Sequence, residues 1–123
     1  MNVPNELFYA KTHEWARKEG KKVYVGITDH AQHEITDIVH VELPEVGKKF
    51  SKSQPCAVVE SVKSAFDIYS PVSGTVVEVN EELLSSPEII NQSPYEKGFF
   101  FVLEIENENE LKELMSAEDY KKS

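Results

Sequence analysis

Cysteine is almost missing from this chain. Cys56 stands alone, so no internal disulfide can form, nothing points to a secreted scaffold, and a reducing compartment fits. It follows Pro55 and opens the apolar run Ala57, Val58, Val59, the setting of a small buried hydrophobe rather than of a reactive thiol. Long apolar runs are missing too. The longest, Phe99 to Leu103, falls far short of the roughly 20 residues a helix needs to cross a bilayer. Positive charge is scarce: 13 basic residues against 22 acidic ones leave a net charge of -9, which repels phosphate backbones and anionic lipid alike. Neither nucleic acid nor membrane is therefore expected as a partner. The opening residues, Met1 to Glu6, lack both the basic-then-apolar pattern of a signal peptide and the Arg-rich pattern of a transit peptide. The expected location is the cytoplasm, and a mature mitochondrial form is compatible with the same sequence. Low-complexity tracts and linkers are absent as well, so residues 1–123 are read as one domain.

What the chain does have is alternation of apolar and polar residues in short pieces, the signature of half-buried antiparallel strands. Val23, Val25 and Ile27 form one piece; Val39, Val41 and Leu43 another; Val77 and Val79 flank Glu78 in a third. Phe66 to Tyr69 and Phe99 to Ile105 add two more, the last apolar enough for the middle of a core. Pro44-Glu45-Val46-Gly47 and Pro71-Val72-Ser73-Gly74 are expected to be tight turns. Helical signals are short. Thr28 or Asp29 can cap a turn or two through Ala31 and Gln32, and Ser86 precedes a Pro suited to a first helical position. Asn109 precedes Leu111, Leu114 and Met115, which share one face of a C-terminal helical segment at about 109–121. The expected fold class is all-β with short peripheral helices.

The informative stretch is Val58 to Ile68, where Lys63 lies among small residues between two strand-like runs and so falls at a hairpin tip. A lysine there is exposed and within reach of another protein. A catalytic amine would need burial or a neighbouring cation, whereas the nearest formal charges in sequence, Glu60 and Asp67, are anions that favour the ammonium form. The segment is compatible with a lysine that another enzyme modifies, although by itself it better fits an ordinary solvated side chain. Trp15 is read as core support, Cys56 as core, and His13 as structural. His30 and His33 have metal-ligand spacing but no clear third ligand, so no metal is expected.

Glu60-Ser61-Val62-Lys63-Ser64, followed by Tyr69 through Asn80, closely resembles the lipoylation segment of glycine cleavage H proteins. The resemblance extends to Thr12-His13-Glu14-Trp15, to Val25 through Gln32, to Asp37-Ile38-Val39 and Val41 to Pro44, and to Ser86-Pro87-Glu88, Asn91 and Ser93-Pro94-Tyr95. General lipoyl and biotinyl domains share the lysine hairpin but lack the Thr-His-Glu-Trp segment.

The resemblance implies a barrel-sandwich hybrid, two small antiparallel sheets with the modified lysine on a hairpin tip, and a lipoyl core at about 22–105. It implies lipoate bound as an amide to Lys63. It also implies a non-catalytic carrier that takes the aminomethyl group of glycine from glycine decarboxylase (P protein) to the aminomethyltransferase (T protein) and is reoxidised by dihydrolipoamide dehydrogenase (L protein). A lipoate ligase or octanoyltransferase would install the group. Thr12, Glu14 and Asp67 are the implied arm-cleft residues, and the carboxylates of Glu14 and Asp67 suit a cationic aminomethyl amine. Departures from the family pattern are Thr36 where many members have Gly, His40 for a common Phe, and Phe100 to Glu104 for a stretch that usually carries a Lys. Two other functions fit less well: a carrier acting mainly in lipoate distribution, and a lysine-dependent lyase.

Overall fold

A computed structural model describes residues 2–123. Strands β1 (Phe8–Tyr9), β2 (Glu14–Glu19) and β3 (Lys22–Ile27) form consecutive hairpins and lead into helix α1 (Asp29–Ile35). Strands β4 (Ile38–Glu42), β5 (Lys49–Phe50), β6 (Pro55–Ser61), β7 (Ala65–Tyr69) and β8 (Gly74–Val79) follow. Helices α2 (Glu82–Ser85) and α3 (Ile89–Gln92), strand β9 (Phe101–Ile105) and helices α4 (Asn109–Lys112) and α5 (Ala117–Lys122) complete the chain.

The strands make two antiparallel sheets, one in the order β1-β2-β3-β9-β8-β5 and one in the order β4-β6-β7, and neither closes into a barrel. One hydrophobic cluster joins them, with Val23, Val25, Ile27 and Leu103 from the larger sheet meeting Val41, Val59 and Ile68 from the smaller. Strand β9 occupies the interior as its composition predicts: Phe101 to Leu103, like Phe100 just before the strand, are all fully buried. A second cluster of Leu7, Tyr9, Trp15, Tyr95, Ala117 and Tyr120 also covers the larger sheet. Consecutive residues of β2 are therefore buried: Trp15 belongs to one cluster and Ala16 to the other.

Local chemistry accounts for the connections. Thr28 caps α1, its hydroxyl oxygen accepting the N–H of Ala31 at 3.2 Å. Pro44 to Gly47 leads into a tight turn in which Lys48 N–H donates to the Glu45 carbonyl at 3.2 Å and Gly47 takes φ 95°. At Pro71 to Gly74 the chain bends, and Gly74 is needed for a different reason. A Cβ there would stand 2.5 Å from the Glu104 carbonyl oxygen on the neighbouring strand.

Several expectations are corrected. Val39 does not point inward: β4 shifts register between Ile38 and His40, which buries Ile38 and Val41 and leaves Val39 half exposed. Strand β8 shifts in the same manner between Val76 and Glu78, so Val76 rather than Val77 enters the core. Ser86 does not cap a helix; its N–H closes the end of α2, and α3 starts later. The C-terminal helical segment is two helices, because Met115 leaves the helix to exchange backbone hydrogen bonds with Tyr9 at 2.8 and 2.7 Å, and Ser116 then caps α5.

Candidate functional site

The β6–β7 hairpin carries Lys63 at its tip, as the sequence predicts. Ser61 N–H donates to the Ser64 carbonyl at 2.9 Å, closing a two-residue turn over Val62 and Lys63. The Ser61 hydroxyl oxygen accepts the N–H groups of Lys63 and Ser64 at 3.3 and 3.2 Å, so one side chain pins the backbone of the tip. Lys63 is exposed and makes no ion pair among the described residues, and Val62 beside it is 75% exposed. The tip thus presents an unengaged primary amine on a rigid two-strand arm.

Below the tip, β7 forms the edge of the smaller sheet and faces α1 across a cleft of about 260 Å³. Ile27, Ala31, Ile35, Phe66 and Ile68 give it an apolar bed. Thr12, Glu14 and Asp67 all line it, so the three residues expected to share a cleft do so. They differ in character. Asp67 and Thr12 are exposed, whereas Glu14 is 1% exposed, a burial that an acid at a loop-strand junction does not advertise. One Glu14 carboxylate oxygen accepts the Thr12 hydroxyl, and the other accepts the backbone N–H of Tyr69 at 3.0 Å. Burial raises the Glu14 pKa to about 7 against the pull of these two donors. Glu14 is therefore an acid that can hold or give up a proton near neutrality, and a cation in the cleft would draw it to the carboxylate form.

Glu14 and Thr12 also line a second cavity of about 330 Å³, together with Lys52, Tyr69, Ser70 and Glu113. Sequence reasoning missed His13, His30 and Glu34 as cleft residues, and the structure brings all three to the same cleft. The rings of His13 and His30 lie 4.6 Å apart, and His30 Nε2 is 3.8 Å from Glu34. Spacing could not reveal this, because His13 reaches α1 only through the turn that joins β1 to β2.

Cys56 is buried with its thiol directed at the Ile68 carbonyl at 3.2 Å, and burial pushes its pKa up to about 12. Trp15 is wholly buried and donates its indole N–H to the Pro94 carbonyl at 2.9 Å. Among the described residues no group of three His, Cys, Asp or Glu is arranged to hold a metal, and no helix is long and apolar enough to cross a membrane.

The family sequence profile described as Glycine cleavage H-protein matches residues 7–123. The chain is similar to the glycine cleavage system H protein of Endomicrobium trichonymphae, at 62% identity over 121 residues that cover 98% of each chain. It is similar to the protein of the same name from Halalkalibacterium halodurans, at 55% identity over 98% of this chain and 94% of that one. Its backbone is similar to the crystal structure of a glycine cleavage system H protein from Mycobacterium marinum, with a TM-score of 0.87 at 32% identity, covering 98% of this chain and 97% of that one.

Proposed function

Because the chain belongs to the glycine cleavage H-protein family and is the lipoyl carrier of glycine cleavage, we propose that Nζ of Lys63 holds the lipoyl group in amide linkage. The observation that carries this reading is the tip itself, with an exposed lysine pinned by Ser61 at the end of the edge hairpin. When attached, the lipoyl group supplies the dithiol and disulfide chemistry by which a one-carbon amine is accepted and passed on.

The residues present fit such an arm. Phe66 to Ile68 lie three to five residues beyond Lys63, on the order of 10 to 16 Å along an extended strand. A lysine lengthened by an eight-carbon acyl chain, roughly a dozen bonds, covers a comparable span. Phe66, Ile27 and Ile35 give its methylenes an apolar surface. Glu14, oriented by Thr12 and Tyr69, faces a cationic amine as a charge-assisted acceptor, and Asp67 adds a second carboxylate at the rim. The cleft shelters that amine from water, and the chain itself performs no bond-making step: it binds, orients and presents.

Residues 1–123 act as one carrier unit. Its partners are glycine decarboxylase, the aminomethyltransferase, dihydrolipoamide dehydrogenase and a lipoate ligase or octanoyltransferase, and its location is the cytoplasm. A role mainly in lipoate distribution is not favoured, since the relatives bear the name of the cleavage system. The test is reconstitution with the other cleavage components after treatment with a lipoate ligase. Wild type is expected to support glycine-dependent NADH formation and Lys63→Arg to give none while melting as wild type does. Undiminished turnover with Lys63→Arg would refute the assignment.

A further inference from the structure

His13 is tied to the C-terminal helix by a chain of hydroxyls. The Tyr120 phenol oxygen lies 2.6 Å from His13 Nδ1 and 2.8 Å from the Thr28 hydroxyl oxygen. Thr28 is wholly buried, and its oxygen already accepts the Ala31 N–H that caps α1. Its proton has one acceptor among the described residues, the Tyr120 oxygen. The phenol must then direct its own proton to His13 Nδ1, and the imidazole proton sits on Nε2. The reverse polarity, with Nδ1 donating to Tyr120 and Tyr120 to Thr28, would leave a buried hydroxyl proton without an acceptor.

The backbone reinforces this placement. His13 takes φ 74°, a left-handed conformation uncommon for residues other than Gly, and is pinned on both sides. Its N–H donates to the Ala10 carbonyl at 3.0 Å, and its carbonyl accepts the Thr28 N–H at 3.0 Å.

We propose that His13 is a binding residue of the cleft for sulfur: a neutral imidazole whose Nε2–H is offered to a thiol or thiolate of the arm, with Tyr120 and Thr28 as positioning residues that fix its tautomer. This rests on the reading of Lys63 as the lipoyl site. The cleft is otherwise acidic. Glu14, Asp67 and Glu34 line it, with His30 beside Glu34 as the other imidazole. Carboxylates suit the cationic amine of the cargo and repel a thiolate. An N–H donor offsets that repulsion, and a neutral ring does so without becoming a second cation that competes with the amine. Burial, and after it the neighbouring His30, push the His13 pKa down, in keeping with a ring that stays neutral.

The test has two arms. Nitrogen-15 NMR of the unlipoylated protein reads the His13 tautomer with no arm present. The Nε2–H form is expected at neutral pH, with Nδ1–H appearing in Tyr120→Phe, which keeps the ring. A predominantly Nδ1–H or cationic His13 in wild type would overturn the proposal whatever Lys63 carries.

In the second arm, lipoylated protein is reduced with a phosphine and titrated with iodoacetamide at pH 7, using Lys63→Arg as the background for buried Cys56. Alkylation of the arm is expected to slow by about threefold or more in His13→Ala and in Tyr120→Phe, because loss of the donor makes the thiol less acidic. The His13 Nε2–H resonance of wild type should also shift on reduction of the arm. Unchanged alkylation together with an unmoved resonance would overturn the sulfur contact. Failure to install any adduct at Lys63 would overturn the underlying reading, and the sulfur ligand with it.

Discussion

Tyr69 donates its backbone N–H to the Glu14 carboxylate at 3.0 Å, which joins the first residue of a strand in the larger sheet to the edge strand of the smaller one, 55 residues along the chain. Antiparallel edges leave such groups unpaired, and here a buried acid answers one of them. The same carboxylate lines the cleft beneath Lys63, so the group that ties the sheets together is also the one we propose to meet the cargo.

Glu14 makes the stability of the protein depend on pH. Burial lifts its pKa from 4.5 to about 7, so between these values the folded form keeps a proton that the unfolded chain has lost. Stability therefore falls as pH rises through that window and levels off above it, by an amount on the order of 3 kcal/mol from this residue. Glu14→Gln cannot ionise. Urea melts at pH 4.5, 6 and 7.5 should show the variant gaining on wild type as pH rises, whereas a constant difference would mean that Glu14 titrates as an ordinary acid.

Thr36 ends α1 at φ 70°, ψ -139°, a region suited to Gly and poor for a β-branched residue. Its neighbours hold it there: its N–H donates to Gln32 at 2.9 Å, and Asn91 donates to its carbonyl at 2.7 Å while accepting the Ile38 N–H at 3.1 Å. Thr36→Gly relieves the strain at some cost in chain entropy, and is expected to raise stability by about 1 kcal/mol. An unchanged or lower thermal midpoint would show that no strain is stored.

Gly26 lies opposite Trp15, and a Cβ there would fall 2.6 Å from the indole ring. Gly26→Ala must push the ring off its bond to the Pro94 carbonyl, and should cost about 1 to 3 kcal/mol. Trp15 is the only tryptophan, so its fluorescence reports the displacement directly. Emission and stability equal to wild type would contradict the packing.

The sequence disclosed whatever obeyed a single period. Val23, Val25 and Ile27 alternate because one face of β3 meets the core between the sheets, and the Val58 to Ile68 stretch shows its hairpin because small residues interrupt two apolar runs. Strand β2 escaped notice because Glu14, Trp15 and Ala16 are buried in succession, which erases alternation. Val39 and Val77 misled because bulges turn them outward. At the cleft, residue types hinted at Glu14 and Asp67, but the burial of Glu14 depends on a backbone group distant in sequence, and His13 enters through a left-handed turn that no spacing rule encodes.

The attachment site can be read directly. Protein treated with a lipoate ligase and lipoate is to be weighed intact and then mapped by peptide mass spectrometry. One lipoyl adduct is expected, on the peptide that contains Lys63, and none on Lys63→Arg. An adduct on any other lysine, or one that persists in Lys63→Arg, would contradict the assignment of the hairpin tip as the carrier site.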